Sequence, residues 1–100
     1  MRSSEVQRVY AEARPLHGER VVLFLAPGSG TIAVVAGRRV GGAVERNRAR
    51  RILRAAWQQV APQARDGYDA VLVARAAIRG AKTQDLVAEM TELLVHGTRS

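Results

Sequence analysis

The chain has no cysteine, a single lysine, only four aromatic residues and nine acids against sixteen bases. Without thiols it can form neither a disulfide nor a thiolate metal site. With so few aromatics, the core must be built from Val, Leu, Ile and Ala. The longest apolar run, residues 21–27, is far too short to span a bilayer, and the opening MRSSEVQRVY lacks the apolar stretch of a secretory signal. A cytoplasmic location is therefore expected. Hydrophobic residues make up 47% of the chain and charged residues 25%, an ordinary globular balance that argues against disorder. One hundred residues are enough for one domain, taken as 1–100, whose modest core buries somewhat over ~60% of the unfolded surface.

What is present is concentrated. Residues 38–54, RRVGGAVERNRARRILR, hold seven arginines and one acid, Glu45. The chain's net charge is +7, and this stretch supplies six of those charges. So compact a positive field is the footprint of a polyanion-binding protein. Fifteen of the sixteen bases are arginine, which fits phosphate recognition but also a GC-rich coding bias, so position carries more weight than number.

Periodicity places this stretch on a helix. From Ala43 to Ala61 the apolar positions Ala49, Ile52, Leu53, Ala56, Trp57 and Val60 share one face, and Asn47, Arg48, Arg50, Arg51 and Arg54 occupy the other. Arg46, Arg50 and Arg54 stack four apart and span ~12 Å, about two nucleotide steps. Like charges so spaced repel by a few tenths of a kcal/mol per pair, roughly, and Glu45 is the only local acid. A solvated face normally mixes signs. Arg38 and Arg39 precede the helix in a loop bounded by Gly37 and Gly41-Gly42, where free backbone N–H groups can also receive a phosphate. Asn47 is either a tolerated surface residue or a hydrogen-bonding group for sugar or base edges.

Around this helix the pattern reads helix, strands, helix, strand, helix. A short first helix runs through SSEVQRVYAEA, capped by Ser3 or Ser4. Arg20–Ala26 and Thr31–Ala36 read as strands joined by Pro27-Gly28-Ser29-Gly30, a hairpin pattern. Ala70–Arg75 is a third, buried strand. Residues 76–82 read as loop, Thr83 as an N-cap, and Leu86, Val87, Met90, Leu93 and Leu94 as the apolar stripe of a last helix ended by Gly97. This is an α+β sandwich, and residues 31–75 are long enough for a crossover between parallel strands.

No catalytic constellation is visible. His17 and His96 have no ligand partners at metal spacing, Asp66 and Asp69 flank a Gly-Tyr turn and read as turn formers, and Ser29 has no nearby base. Trp57 belongs to the apolar face. Tyr10 and Phe24 admit two readings, ordinary core or an aromatic pair lining a groove where unpaired bases stack.

Residues 37–57, GRRVGGAVERNRARRILRAAW, resemble the signature of the bacterial ribonuclease P protein component, roughly [ST]KKVG-A-RNR-KR--RE. Arg38-Arg39-Val40-Gly41 stand for its basic pair with Val-Gly, Arg46-Asn47-Arg48 for its RNR core, and Arg50, Arg51 and Arg54 complete the basic face. The order of elements agrees over nearly the whole chain. The resemblance implies an α-β-β-β-α-β-α fold, a four-stranded sheet with a left-handed crossover, and a short additional strand near Arg14 to His17. It further implies a protein subunit of a tRNA 5′ endoribonuclease whose catalytic groups, and the Mg²⁺ they use, reside in an RNA. Arg38, Arg39, Arg46, Asn47, Arg48, Arg50, Arg51 and Arg54 would meet that RNA subunit. Val6, Tyr10 and Phe24 would line a cleft for the single-stranded leader of precursor tRNA. No membrane, small-molecule substrate or protein-held metal is expected.

The sequence departs from the pattern at several positions. Only MRSS precedes the first helix, Val6 stands where an aromatic is common, and Gly37, Gly42 and Ala55 replace Ser/Thr, Asn and Glu. Three other readings compete. A free-standing RNA- or ribosome-binding module would carry the same basic helix without a ribozyme partner. A DNA-binding domain would need a short helix before residue 43, where a strand pattern lies. A protein-only nuclease would need clustered carboxylates, and the nine acids are scattered.

Overall fold

The structure is a computed structural model that describes residues 2–63 and 67–97. Helix α1 (Ser3–Glu12) is followed by strands β1 (Arg14–His17), β2 (Val21–Pro27) and β3 (Ile32–Val35), helix α2 (Ala43–Val60), strand β4 (Tyr68–Ala74) and helix α3 (Thr83–Gly97). The four strands form one mixed sheet in the order β1-β2-β4-β3. The strand at Arg14–His17 is present as the resemblance implied, pairing antiparallel with β2. Strands β3 and β4 are parallel, with α2 as the crossover between them.

The expected hairpin does not form. Strands β2 and β3 run in opposite directions, but β4 inserts between them and pairs with both, Leu23 facing Leu72 on one side and Val34 facing Leu72 on the other. The reason is burial. In β4, every residue from Asp69 to Leu72 is buried, so this strand gains most from a central position with both faces covered. Neighbouring strands lie ~4.8 Å apart, so the turn at residues 28–31 need only bridge about twice that distance across the end of β4.

Asp69 makes that splayed turn possible. It is 3% exposed, and it lies within β4 rather than in a turn. Its Oδ1 accepts hydrogen bonds from the backbone N–H groups of Ser29, Gly30 and Thr31 at 3.0, 3.1 and 3.0 Å and from the Thr31 hydroxyl at 2.9 Å. Its Oδ2 pairs with the guanidinium of Arg8 on α1. Arg8 also donates to the Pro27 carbonyl at 3.0 Å. A Cβ added at Gly28 would collide with the Asp69 carboxyl group, which explains the glycine there.

The two faces of the sheet are covered unequally. Val21, Leu23, Ala70, Leu72 and Ala74 point to one face and join Leu53, Ala56, Trp57 and Val60 of α2 and Leu86, Met90 and Leu94 of α3 in the main core. The other face carries Ala26 and Val71, covered by Val9 of α1. Helix α1 packs across β2 and β4 only in part, and Val35 on β3 remains 36% exposed.

The helix ends differ from expectation in detail. Ser3 and Ser4 are the first residues of α1, Arg2 takes the N-cap position, and no side chain caps it. At α3, the Lys82 backbone N–H donates to Asp85 Oδ2 at 2.9 Å, so the cap lies one residue before Thr83 and Asp85 supplies the bond. Glu89 of α3 accepts from the N–H groups of Arg20 and Val21 at 2.8 and 3.1 Å, fastening the helix to the start of β2.

Asp69→Ala should cost about 3 kcal/mol in chemical denaturation, because four donors and a cation lose a buried acceptor. Burial alone would raise the Asp69 pKa, but the donors from Thr31, Ser29 and Gly30 prevail and hold it below its ordinary value of 3.8. A depressed carboxylate pKa stabilises the fold above the unfolded value, and that contribution fades as pH falls through 3.8 towards the folded value. Wild type should therefore lose more stability than Asp69→Asn between about pH 5 and 3, read from denaturation midpoints.

Candidate nucleic-acid interface

Helix α2 turns its apolar face to the core as its sequence period requires, and Ala49, Ile52, Leu53, Ala56, Trp57 and Val60 are all buried. That single constraint sends the arginines outward. Arg51, Arg54 and Asn47 are exposed, and Arg46, Arg48 and Arg50 are half-buried. The segment expected as a flexible loop is a 3-10 turn over Arg38–Val40, anchored by Val40 at 1% exposure, with Arg38 and Arg39 exposed on it. Val40 was missed as a core residue; being the one aliphatic between Gly37 and Gly41 was its only sequence signal.

Gly41 then turns the chain into α2 at φ +137°, a conformation L side chains rarely adopt, with Glu45 packed 3.0 Å from where its Cβ would stand. The α2 N-cap, Gly42, makes no side-chain cap hydrogen bond.

The arginines are not equivalent. Arg50 Nη2 donates to Asn47 Oδ1 at 2.7 Å, so Asn47 orients a guanidinium rather than standing idle on the surface. Arg48 Nη2 donates to the Ala81 carbonyl at 2.7 Å, tying α2 to the connection before α3. The Arg46 Nε atom is buried with no hydrogen-bond partner. Among the described residues, the ion pairs are Arg8–Glu12, Arg8–Asp69 and Arg20–Glu89, all away from α2. The expected site arginines therefore have no carboxylate partner within that set, and their field is left uncompensated.

Val6, Tyr10 and Phe24 come together on the other face of the sheet. Tyr10 on α1 meets Phe24 on β2 edge to face, with ring centroids 4.8 Å apart and planes at 74°. All three residues are half-buried around Val9, Ala26 and Val71. The pair is thus part of a small apolar cluster and part of an open surface, and burial pushes the Tyr10 hydroxyl pKa up. Ala33 and Val73 pack against the same cluster, and Val35 follows Ala33 on that face by strand alternation. These three floor residues went unread because their face depends on the pairing of β3 with β4.

Among the described residues no three His, Asp or Glu side chains stand close enough to hold a metal ion. No helix there is long and apolar enough to cross a membrane. Arranged in this way, the molecule offers an unpaired cationic surface on and before α2, and a separate aromatic-edged apolar surface beside α1.

Comparison with known proteins bears on the family and the fold of the chain. A family model described as Ribonuclease P matches residues 1–97. The ribonuclease P protein component of Coprothermobacter proteolyticus is 41% identical over 66 residues, 65% of this chain and 56% of the relative's length. That of Symbiobacterium thermophilum is 37% identical over 91 residues, 87% of this chain and 79% of the relative. The solved ribonuclease P protein from Thermotoga maritima shares the fold, with a TM-score of 0.80 at 18% identity over 96% of this chain and 94% of that one. With the family model spanning nearly its whole length, the chain belongs to the ribonuclease P protein component family.

Proposed function

We propose that this protein is the subunit that binds a catalytic ribonuclease P RNA through the α2 surface and helps it remove the 5′ leader from precursor tRNA. The observation that carries this reading is the one-signed set of arginines from Arg38 to Arg54, without carboxylate partners among the described residues. In this reading Arg38, Arg39, Arg46, Arg50, Arg51 and Arg54 neutralise phosphates, Asn47 aims Arg50, and Arg48 both faces the RNA and secures the connection to α3. The leader lies along the surface edged by Val6, Tyr10 and Phe24, its bases stacking on the aromatic pair.

Magnesium is the metal the family's reaction implies. The donor set offered here does not fit a divalent cation, since the surface in question is made of guanidinium groups. Phosphates of the RNA would hold such ions, and the protein's part is to offset phosphate repulsion and position the leader.

The decisive experiment is cleavage of a precursor tRNA by a bacterial ribonuclease P RNA at low Mg²⁺, with and without the protein. Protein-dependent cleavage is expected, reduced in an Arg51→Ala/Arg54→Ala variant whose substituted side chains are both exposed. RNA binding without any stimulation would favour a free-standing binding module instead. In a binding assay with the assembled RNA–protein complex, Phe24→Ala should weaken leader-bearing precursor by about 1–3 kcal/mol per stacked base while leaving the affinity for leaderless tRNA unchanged. Val6→Phe should do the reverse and tighten leader binding.

A further inference from the structure

The connection between β4 and α3 carries three exposed cations outside the arginine stretch. Arg75 is held by the Gly18 carbonyl at 3.0 Å, which leaves Arg79 and Lys82. Three contacts bring these two to that stretch. The 3-10 turn Ala76–Ile78 packs against the 3-10 turn Arg38–Val40, so Arg79 follows directly on a turn that touches the one bearing Arg38 and Arg39. Ile78 and Ala81, at 1% and 6% exposure, anchor the connection in the core on either side of Arg79. The Arg48 guanidinium then fastens the Ala81 carbonyl from α2.

Arg48 consequently stands as a saddle between two shallow grooves. One, of about 510 Å³, is lined by Glu45, Arg48, Ala49, Ile78, Arg79 and Gly80. The other, of about 430 Å³, is lined by Arg48, Arg51, Ile52, Ala55, Lys82 and Thr83. Neither Arg79 nor Lys82 has a carboxylate ion-pair partner among the described residues. Asp85, the nearest acid in sequence, is engaged by the Lys82 backbone N–H.

We infer that Arg79 and Lys82 contact phosphates of the RNA subunit, extending the interface from α2 across the Arg48 saddle onto the β4–α3 connection. The inference rests on the reading that the α2 surface meets that RNA. Two anchored cations facing grooves that already contain Arg48 and Arg51 would hold a backbone on both flanks of the helix, where α2 alone offers one.

The test is binding of the full chain to a bacterial ribonuclease P RNA, without tRNA, over a salt series. An Arg79→Ala/Lys82→Ala variant should lower the slope of log K against log salt by about 1.4 to 1.8, two contacts at about 0.7 to 0.9 each. Circular dichroism checks its fold, and Arg79→Gln/Lys82→Gln serves in its place if the alanine pair fails to fold. Arg2→Ala/Arg14→Ala removes the same charge elsewhere and should leave the slope nearly unchanged; an equal fall there would reduce the effect to bulk charge and overturn the inference. An unchanged slope in the Arg79/Lys82 variant, while Arg51→Ala/Arg54→Ala lowers it, would sink the inference and leave the proposed function standing. If neither pair lowers it, the proposed function fails with it. In a parallel cleavage assay, a defect of the Arg79/Lys82 variant confined to leader-bearing precursor, with RNA binding unchanged, would reassign the two residues to the substrate and overturn the RNA-subunit contact.

Discussion

The Asp69 carboxylate is the point from which the geometry of this molecule follows. Buried at the start of β4, it gathers three backbone N–H groups and a hydroxyl from residues 29–31 and the Arg8 guanidinium from α1. A buried ionised carboxylate is tolerated only when its oxygens are satisfied in this way. Satisfying them requires the residue 28–31 turn to sit across the end of β4, which separates β2 from β3. It also draws α1 onto β2 and β4. Burial gives β4 its central place between β2 and β3, and that one side chain fastens the turn across its end and α1 beside the aromatic surface.

The arginine face is sustained by the face opposite to it. Repulsion between like charges one turn apart costs only a few tenths of a kcal/mol per pair, roughly, while each large apolar side chain buried contributes about 1.5–3 kcal/mol. With Ile52, Leu53, Trp57 and Val60 buried, α2 can hold a one-signed surface without carboxylates to balance it. Those cations remain available to phosphate because no interaction inside the fold has to consume them. Arg48 and Arg50 are the exceptions, each with one guanidinium nitrogen engaged, by the Ala81 carbonyl and by Asn47 Oδ1.

The sheet separates the two surfaces. Its better covered face seats α2 and α3, while its other face leaves Tyr10, Phe24 and Val35 accessible beside α1. A polymer held along α2 and a single strand held beside α1 would therefore lie on opposite sides of one sheet. Such an arrangement suits a subunit that must hold one RNA while guiding another.

The helices, the outward register of the arginines and the apolar stripe of α3 were legible from the chain alone, because a 3.6-residue period is a local property that neighbouring side chains express together. The crossover between parallel strands was legible from segment length, and the strand at Arg14–His17 only through family resemblance. Strand order was not. Residues 20–36 read as a hairpin because turn chemistry is local, whereas insertion of β4 depends on the burial of a strand some forty residues away. For the same reason Asp69 read as a turn former, Arg48 as a free surface charge and Arg79 with Lys82 as unremarked loop cations. The sequence by itself determined which residues are helical, which are apolar and where the charge is concentrated. Only the tertiary structure decided which of those charges are spent on the fold, which gather into one surface and which aromatics meet, because each of these depends on contacts between segments remote in the chain.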